Sequence, residues 1–345
     1  MKRILALAAV FMLILGCNGN GGRQGQETPW APKKTNASGE LIIYSVGYNS
    51  SGGDYTGGLT FNLTQKNNSA ESEQRKKEES RNLGANISGF PEVDEEITVK
   101  VFDVGYGEAV LVKKGEFEAL FDTGGKASAK ELVQKLNGMG ITGIEVVAIT
   151  TDDEKRWGGL KEVLENFEIG EVWTNGAINT PEFTEEVVKE ASERGIPIRY
   201  PQAGDSVKFA GMEFKILHPQ EKRLEGNIDI NSVVAKVSYG KFCIFLSSNM
   251  EMGIENQVMA GGNLKCGILK IAKYASGSAT TSRLLSAINP KYALLSVGDN
   301  FENLPNPTII ERIRILGIPL YRTDLDGDIT ITGNASGNYK IEKSR

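Results

Sequence analysis

Apolar positions along this chain fall into two regimes. From about residue 97 to residue 332 they recur in short runs separated by glycine turns, and those runs alternate with stretches of helical spacing. Residues 97–104, 109–113 and 117–122 read as three β-runs joined by Gly turns. Residues 126–137 put Leu132, Val133 and Leu136 on one face, which predicts a helix. A strand at 145–150, a helix at 158–167 and a strand at 171–174 follow. Thr180-Pro181-Glu182 combines a capping hydroxyl, a proline at the first helical position and an acid in the first turn. The helix it starts ends at Gly195, before Pro197. Residues 206–209, 212–217, 232–239 and 242–247 read as strands of a mostly antiparallel half. Runs at 268–272, 292–297, 320–322 and 328–332 alternate with helices at 281–288 and 307–316. Many strands with interspersed helices predict an α/β (α+β) domain of two sheets with helices outside, over residues 96–345.

The other regime lies before residue 96. Residues 18–95 are rich in Gly, Asn, Ser and charge, and 65–82 hold almost no apolar residue. Such a segment buries too little to offset its ordering entropy, so a largely disordered stalk is expected. Two apolar patches, 41–46 and 59–63, are the exception and are spaced to pair as a hairpin. Residues 1–17 form a targeting segment. Lys2 and Arg3 precede a short apolar run at 4–15, and Leu13-Ile14-Leu15-Gly16-Cys17 resembles a lipobox. Its Cys17 is the expected lipidation site, tethering the mature protein to the extracytoplasmic face of the membrane by two acyl chains.

Composition narrows the partners. The 345 residues carry a net charge of −5, which argues against a global field for nucleic acid or anionic lipid but not against a local basic patch. An extracytoplasmic address permits a disulfide between Cys243 and Cys266. Both lie in apolar runs, where a free thiol behaves as a small hydrophobe, and the surroundings weigh toward two buried thiols. Asn-x-Ser/Thr sequons occur at Asn36, Asn49, Asn62, Asn67, Asn86 and Asn334. They read either as chance in an Asn/Ser-rich linker or as a glycosylated spacer, and the sequence leaves both open.

The candidate chemistry centres on Ile149-Thr150-Thr151-Asp152-Asp153-Glu154-Lys155-Arg156-Trp157-Gly158-Gly159-Leu160. Strand, sharp loop and Gly-Gly before a helix is a layout that converges loop side chains at a sheet end. This loop has no histidine, and the chain has one, His218. His218 sits at a strand end in Leu217-His218-Pro219 and reads as structural.

Phe102-Asp103-Val104-Gly105-Tyr106-Gly107-Glu108-Ala109 and Phe121-Asp122-Thr123-Gly124 resemble the opening motifs of the metallo-β-lactamase-fold domain of ComEC-type competence proteins. Leu217-His218-Pro219, Asn231-Ser232-Val233-Val234 and Tyr321-Arg322-Thr323-Asp324 with Gly327 follow in that family's order. The resemblance covers about residues 97–332 and implies an αββα sandwich with the site at one end of its sheets. By register from Gly158-Gly159, Thr151, Asp153, Lys155 and Arg156 stand where the family carries His, Asp, Asp and His. Its later bridging Asp falls at Asn249, and its Gly-His-His-Gly-Ser turn at Ala272-Lys273-Tyr274-Ala275-Ser276. Asp122 and Asp153 remain as acids. Together Asp122, Thr151, Asp153, Lys155, Arg156, Asn249, Lys273 and Tyr274 are the expected vestige of the site.

Zinc needs imidazole or thiolate at about 2.0–2.3 Å, with three protein ligands at a catalytic site. Two carboxylates beside Lys155 and Arg156 do not offer that, so neither metal nor cofactor is expected and hydrolysis is expected to be lost. Three outcomes are compatible with such a loop. In the first, Asp122 and Asp153 pair with Arg156, Lys155 or Lys273, and the protein is a non-catalytic binding or scaffold module, linked to DNA uptake or a cell-surface process and working through a protein partner. In the second, Lys155, Arg156 and Lys273, with Trp157 and Tyr274, bind an anion such as single-stranded DNA. In the third, Asp122, Asp152, Asp153 and Asp324 gather a hard metal, and the protein is a divergent phosphodiesterase- or nuclease-like hydrolase. The stretch Asp324-Leu325-Asp326-Gly327-Asp328 reads as a polar hairpin turn rather than a calcium loop.

Overall fold

Alternation on the strands decides which face each side chain takes. In β4 (Ile97–Val101) the pattern Ile-Thr-Val-Lys-Val buries Ile97, Val99 and Val101 and leaves Thr98 and Lys100 part-exposed. By contrast, β13 (Phe242–Leu246) is apolar and buried throughout. Its Phe242, Ile244 and Leu246 enter one core, and Cys243 and Phe245 enter another. A strand covered on both faces needs such an unbroken run.

The computed structural model describes residues 33–35, 41–48, 54–61, 95–176, 183–224 and 228–345. Two units divide at Phe90/Pro91. In the first, β1 (Lys33–Thr35), β2 (Leu41–Tyr48) and β3 (Asp54–Phe61) form a three-stranded antiparallel sheet. The two apolar patches of the linker thus pair as β2 and β3, with Leu41 opposite Phe61. Cys17 and the sequons at Asn36, Asn49, Asn62, Asn67 and Asn86 lie outside the described residues.

The second unit contains two sheets. An eight-stranded sheet adds β5 (Val110–Lys114), β6 (Phe117–Phe121), β7 (Gly143–Ile149), β8 (Glu168–Thr174), β9 (Ile198–Arg199), β17 (Ile329–Gly333) and β18 (Tyr339–Lys343) to β4, in the order β18-β17-β4-β5-β6-β7-β8-β9. A seven-stranded sheet runs in sequence order: β10 (Ser206–Phe209), β11 (Met212–His218), β12 (Val234–Tyr239), β13, β14 (Ile268–Lys270), β15 (Tyr292–Leu295) and β16 (Leu320–Arg322). Each sheet begins antiparallel and becomes parallel, from β6 to β9 in one and from β13 to β16 in the other. Between them lies one core, with Val99, Val112 and Phe121 from one sheet and Phe214, Ile244 and Leu246 from the other.

Helices cover the outer faces. On the seven-stranded side, α5 (Met252–Ala260), α6 (Ser282–Ile288) and α7 (Pro307–Ile315) bury Ile254, Leu284 and Ile309 with Phe245 and Leu269. On the eight-stranded side, α1 (Ala129–Gly138) and α3 (Leu160–Asn166) bury Leu132, Leu136 and Val163. The domain is an αββα sandwich of the metallo-β-lactamase type.

Several boundaries differ from the sequence expectation. The helix after β7 is split: α2 (Glu154–Trp157) stops before Gly158-Gly159, and α3 starts at Leu160. Residues 180–182 lie outside the described residues, and the helical segment that follows them begins as a π-turn, Thr184–Lys189, before α4 (Glu190–Glu193). Residues 323–326 are not a hairpin turn. They form the short helix α8 (Thr323–Asp326), which carries the chain from β16 in one sheet to β17 in the other. Asp326 accepts from the Arg322 backbone N–H at 2.8 Å, and Asp324 pairs with Arg322 at 2.6 Å, which fixes this crossover.

The cysteines are also resolved against expectation. Cys243 and Cys266 form a disulfide across a Cα–Cα distance of 5.1 Å. One lies in β13 and the other just ahead of its parallel neighbour β14, so two buried apolar runs bring the thiols together.

Candidate functional site

The loops that carry the sequence motifs are held by main chain. Glu108 N–H donates to the Lys155 carbonyl at 3.1 Å, Gly124 N–H to the Glu108 carbonyl at 2.8 Å, and Thr123 N–H to the Arg156 carbonyl at 2.6 Å. Gly159 N–H closes the set on the Gly124 carbonyl at 3.1 Å. Gly159 has to be glycine, because a Cβ there would collide with the Thr123 carbonyl. Three motifs distant in sequence thus form one laced frame at the ends of β4, β6 and β7.

Side chains from that frame converge with others from the second sheet. Asp122 follows β6 in a left-handed conformation, φ 62°. Its carboxylate accepts from the Thr150 backbone N–H at 2.8 Å and from the Thr150 hydroxyl at 2.9 Å. Arg156, from α2, is fully buried. Its Nη1 donates to Asp122 Oδ2 at 2.6 Å and lies 3.1 Å from Glu108 Oε1, while Nη2 reaches Glu108 Oε2 at 3.2 Å. Nε donates to Asn249 Oδ1, just past β13, at 2.8 Å. The guanidinium carbon sits 5.4 Å from the centre of the Tyr274 ring. Lys270, the last residue of β14, is equally buried and donates to Glu108 Oε2 at 2.7 Å. Two carboxylates, a guanidinium and an ammonium therefore compensate one another away from water.

Burial pushes the Asp122 carboxyl up to about 6, aided by the Glu108 charge and opposed by Arg156. Burial also favours a protonated Glu108, but Arg156 and Lys270 outweigh it and hold that carboxyl below its ordinary range. Lys270 is lowered by burial, which its Glu108 contact only partly offsets. The Tyr274 phenol is raised far above its ordinary value, again by burial first.

These directions set a pH signature. Asp122 keeps its proton to higher pH in the folded chain than in the unfolded chain. Its contribution to stability is therefore largest below about pH 4 and falls as pH rises to about 6, by up to about 3 kcal/mol. Glu108 acts oppositely, and its contribution is lost as pH falls below the ordinary carboxyl range. Urea denaturation of wild type and Asp122→Asn at intervals from pH 4 to 7 isolates the first effect. The stability of wild type relative to Asp122→Asn is expected to fall by up to about 3 kcal/mol between pH 4 and 6.

The remaining expected residues take other places. Thr151 is buried and its hydroxyl accepts from the Asp153 N–H at 2.9 Å. Asp153 caps α2 through the Lys155 N–H at 3.1 Å and lies 3.6 Å from Lys155 Nζ. Lys273 does not point at Asp122. It pairs with Asp229 at 2.7 Å and with Glu251. Asn249 turns its amide toward Asp229 at 2.7 Å, completing the link. Of the three cations expected around an anion, Arg156 lies buried among Asp122, Glu108 and Asn249, while Lys155 and Lys273 are part-exposed and each lies near two carboxylates. The oxygens of Asp122, Asp152, Asp153 and Asp324 do not gather. Asp152 accepts from Asn175 at 3.0 Å, Asp324 from Arg322, and among the described residues no three His, Cys, Asp or Glu side chains are grouped to hold a metal ion.

His218 is buried, with Nδ1–H donated to the Ser232 carbonyl at 2.7 Å, and desolvation lowers its pKa. Asn334 lies in the turn from β17 to β18, where its side chain accepts from the Asn338 N–H at 3.1 Å. Sequence reasoning missed Glu108, although it is quoted in the first motif, and Lys270. The signal for Lys270 was there: a lysine inside the apolar run Ile268-Leu269-Lys270-Ile271-Ala272 is a buried charge that needs a partner.

Two facing sheets, outer helices and a laced site at their strand ends define a metallo-β-lactamase-type domain. In sequence it is related to ComEC-type competence proteins. It is 30% identical over 273 residues to "Competence protein ComA" of Neisseria gonorrhoeae, a match covering 76% of this chain and 36% of that protein. "ComE operon protein 3" of Bacillus subtilis is 24% identical over 263 residues, covering 70% and 33%. The chain thus spans about a third of the length of these curated relatives. No protein-family model matches it. Among solved structures, the subclass B3 metallo-β-lactamase MEM-A1 from a soil metagenome library is 16% identical, covering 50% of this chain and 75% of that one at a TM-score of 0.37.

Proposed function

We propose that this domain is a non-hydrolytic member of its fold, in which a buried ion-pair cluster stands where relatives carry metal ligands. It serves as a binding or scaffold module, held at the extracytoplasmic face of the membrane by lipid on Cys17, in DNA uptake or an allied surface process. The observation that carries this reading is Arg156, whose guanidinium lies among Asp122, Glu108 and Asn249 and satisfies all three. The cluster's donors are wrong for zinc. Its carboxylates are already engaged by cations, its amide oxygen by Nε, and no imidazole or thiolate is present. A dication placed there would meet a fixed positive charge that cannot deprotonate at any ordinary pH.

The lipid anchor rests on Lys2, Arg3, the apolar run at 4–15 and Gly16-Cys17. Among the described residues, no helix is long and apolar enough to cross a membrane. The link to DNA uptake rests on the names of the relatives. Metal analysis of the full chain, purified without chelator, is expected to find far less than one equivalent of zinc, manganese or magnesium. Assays on bis(p-nitrophenyl) phosphate and on single-stranded DNA are expected to show no turnover, with or without added metal. Stoichiometric metal together with hydrolysis would overturn the reading.

A further inference from the structure

Beside the buried cluster lies a cleft of about 390 Å³, lined among others by Tyr106, Asp153, Lys155, Asp229, Lys273 and Tyr274. Arg156 does not line it. We infer that this cleft is a binding site for an uncharged, hydroxyl-rich ring, that is, a sugar unit of a glycan. The inference rests on reading the domain as a binding module and names the chemistry of its ligand.

Charge is the first constraint. Lys155 lies 3.6 Å from both Asp153 and Glu302, and Lys273 lies between Asp229 and Glu251. Each ammonium already faces carboxylates on two sides. A phosphate would have to displace a carboxylate from its lysine, and a cationic ligand would have to displace a lysine. A hydroxyl donates one hydrogen bond and accepts others, so it can insert between such a pair and leave neither charge unmatched. Several hydroxyls on one neutral scaffold suit this alternation of ammonium and carboxylate groups.

Shape and surface are the second. The part-exposed Tyr106 ring, braced edge to face at 4.9 Å by the buried Tyr274 ring, gives the cleft an aromatic wall for the C–H face of a sugar ring. Lys155 Nζ lies 4.9 Å from the Tyr106 ring centre, so donors and ring face are adjacent. Phe301 does not line the cleft but stands fully exposed beside it, next to Glu302 on a loop whose Glu302, Leu304 and Asn306 do. Asn300 stiffens that loop by accepting from Glu302 N–H and Leu304 N–H and donating to the Leu304 carbonyl. An aromatic ring held in water on a stiff loop is a ready stacking surface. The volume is at the small end of the ~300–1,000 Å³ of ligand pockets and suits a small ring ligand rather than a folded partner.

A third observation points to a ligand independently. Tyr274 is buried and lines the cleft, yet its hydroxyl makes no hydrogen bond to any described group. The backbone that holds it is strained: Lys273, Tyr274 and Ala275 are consecutive left-handed residues at φ 45°, 54° and 59°. Each such residue costs on the order of 1–3 kcal/mol and persists where surrounding structure enforces it. The unsatisfied hydroxyl lies within the cleft wall with almost no accessible surface, and a sugar oxygen seated against that wall would complete it.

The test uses the full chain with chitotriose and cellotriose as probes, by saturation-transfer NMR and calorimetry. Inorganic phosphate, an oligo-dT and lysine methyl ester serve as charged comparators. At least one saccharide is expected to bind, and the charged probes are expected to bind more weakly. Tyr274→Phe, which removes only the hydroxyl, and Phe301→Ala, at a fully exposed position, are each expected to weaken binding by about tenfold with unchanged melting temperature. Binding of neither saccharide, tighter binding of a charged probe, or full affinity in both variants overturns the inference. Cleavage of a bound saccharide would overturn the non-hydrolytic reading and leave the ligand class standing. A metal-free, non-hydrolytic protein that ignores both saccharides would overturn the ligand class alone.

Discussion

Arg156→Ala is expected to cost about 3–5 kcal/mol of folding stability. The physical reason is the company Arg156 keeps. Asp122 and Glu108 are both buried, and both depend on its guanidinium at 2.6 Å and 3.1 Å. Removing it leaves Lys270 alone to compensate two carboxylates, and Lys270 touches only Glu108 in this cluster. It also deletes one of the largest fully buried side chains in the protein, so a cavity penalty adds to the electrostatic one. Two companion variants separate the contributions. Arg156→Lys keeps the charge but not the fork that spans Asp122, Glu108 and Asn249, and is expected to fall between wild type and Arg156→Ala. Arg156→Met with Asp122→Asn removes one charge of each sign at similar volume and is expected to recover part of the loss. Urea denaturation at pH 7 measures all three. A melting curve for Arg156→Ala that superimposes on wild type would show that the cluster carries no structural burden.

Cys243→Ala with Cys266→Ala is expected to cost about 3 kcal/mol. The bridge closes a loop of 23 residues, and by the chain-entropy relation a loop of this size restricts the unfolded chain by about that amount. The loop contains α5 and ends on adjacent parallel strands, a pairing that local contacts do not enforce. The double variant should therefore lower the urea midpoint. A reducing agent should reproduce the shift in wild type and leave the double variant unaffected. If both proteins respond to reductant alike, the bridge is not the source. Both thiols are buried, at 8% and 5% exposure, so unfolding is expected to precede reduction.

The strand framework was legible because period-two alternation survives in β4 and β11, because β13 is apolar on both faces, and because β14 is apolar but for Lys270. Less legible were elements whose partners are remote. The strand β18 has an exposed, charged pattern and is held by pairing to β17 rather than by burial. The segment 323–326 has the composition of a turn, and only the sheet assignment of its flanking strands shows that it crosses between layers. The disulfide was underweighted for a related reason: apolar surroundings say that a cysteine is buried but not what lies across the strand gap. At the site, Asp122 could be placed by its own motif, Phe121-Asp122-Thr123-Gly124, and Arg156 by register from Gly158-Gly159. Glu108 could not, because its partner Lys270, a charge marked only by the apolar run around it, lies 162 residues away. Lys273 carried the expected charge, but its contacts run to Asp229 and Glu251, which no motif marks.

Main-chain hydrogen bonds tie Glu108 to Lys155, Thr123 to Arg156, and Gly124 to Glu108 and Gly159. The path of the loops is therefore held in large part by backbone, with the Asp122, Thr151 and Asp153 side chains adding local ties. The arrangement behaves as a socket whose pins can be exchanged while its housing keeps its dimensions. Substitutions that spare these main-chain bonds are expected to leave the loops that present the site in place. The same property makes the domain a host in which a new set of side chains, installed at Thr151, Asp153, Arg156 and Asn249, would inherit positions already held by backbone.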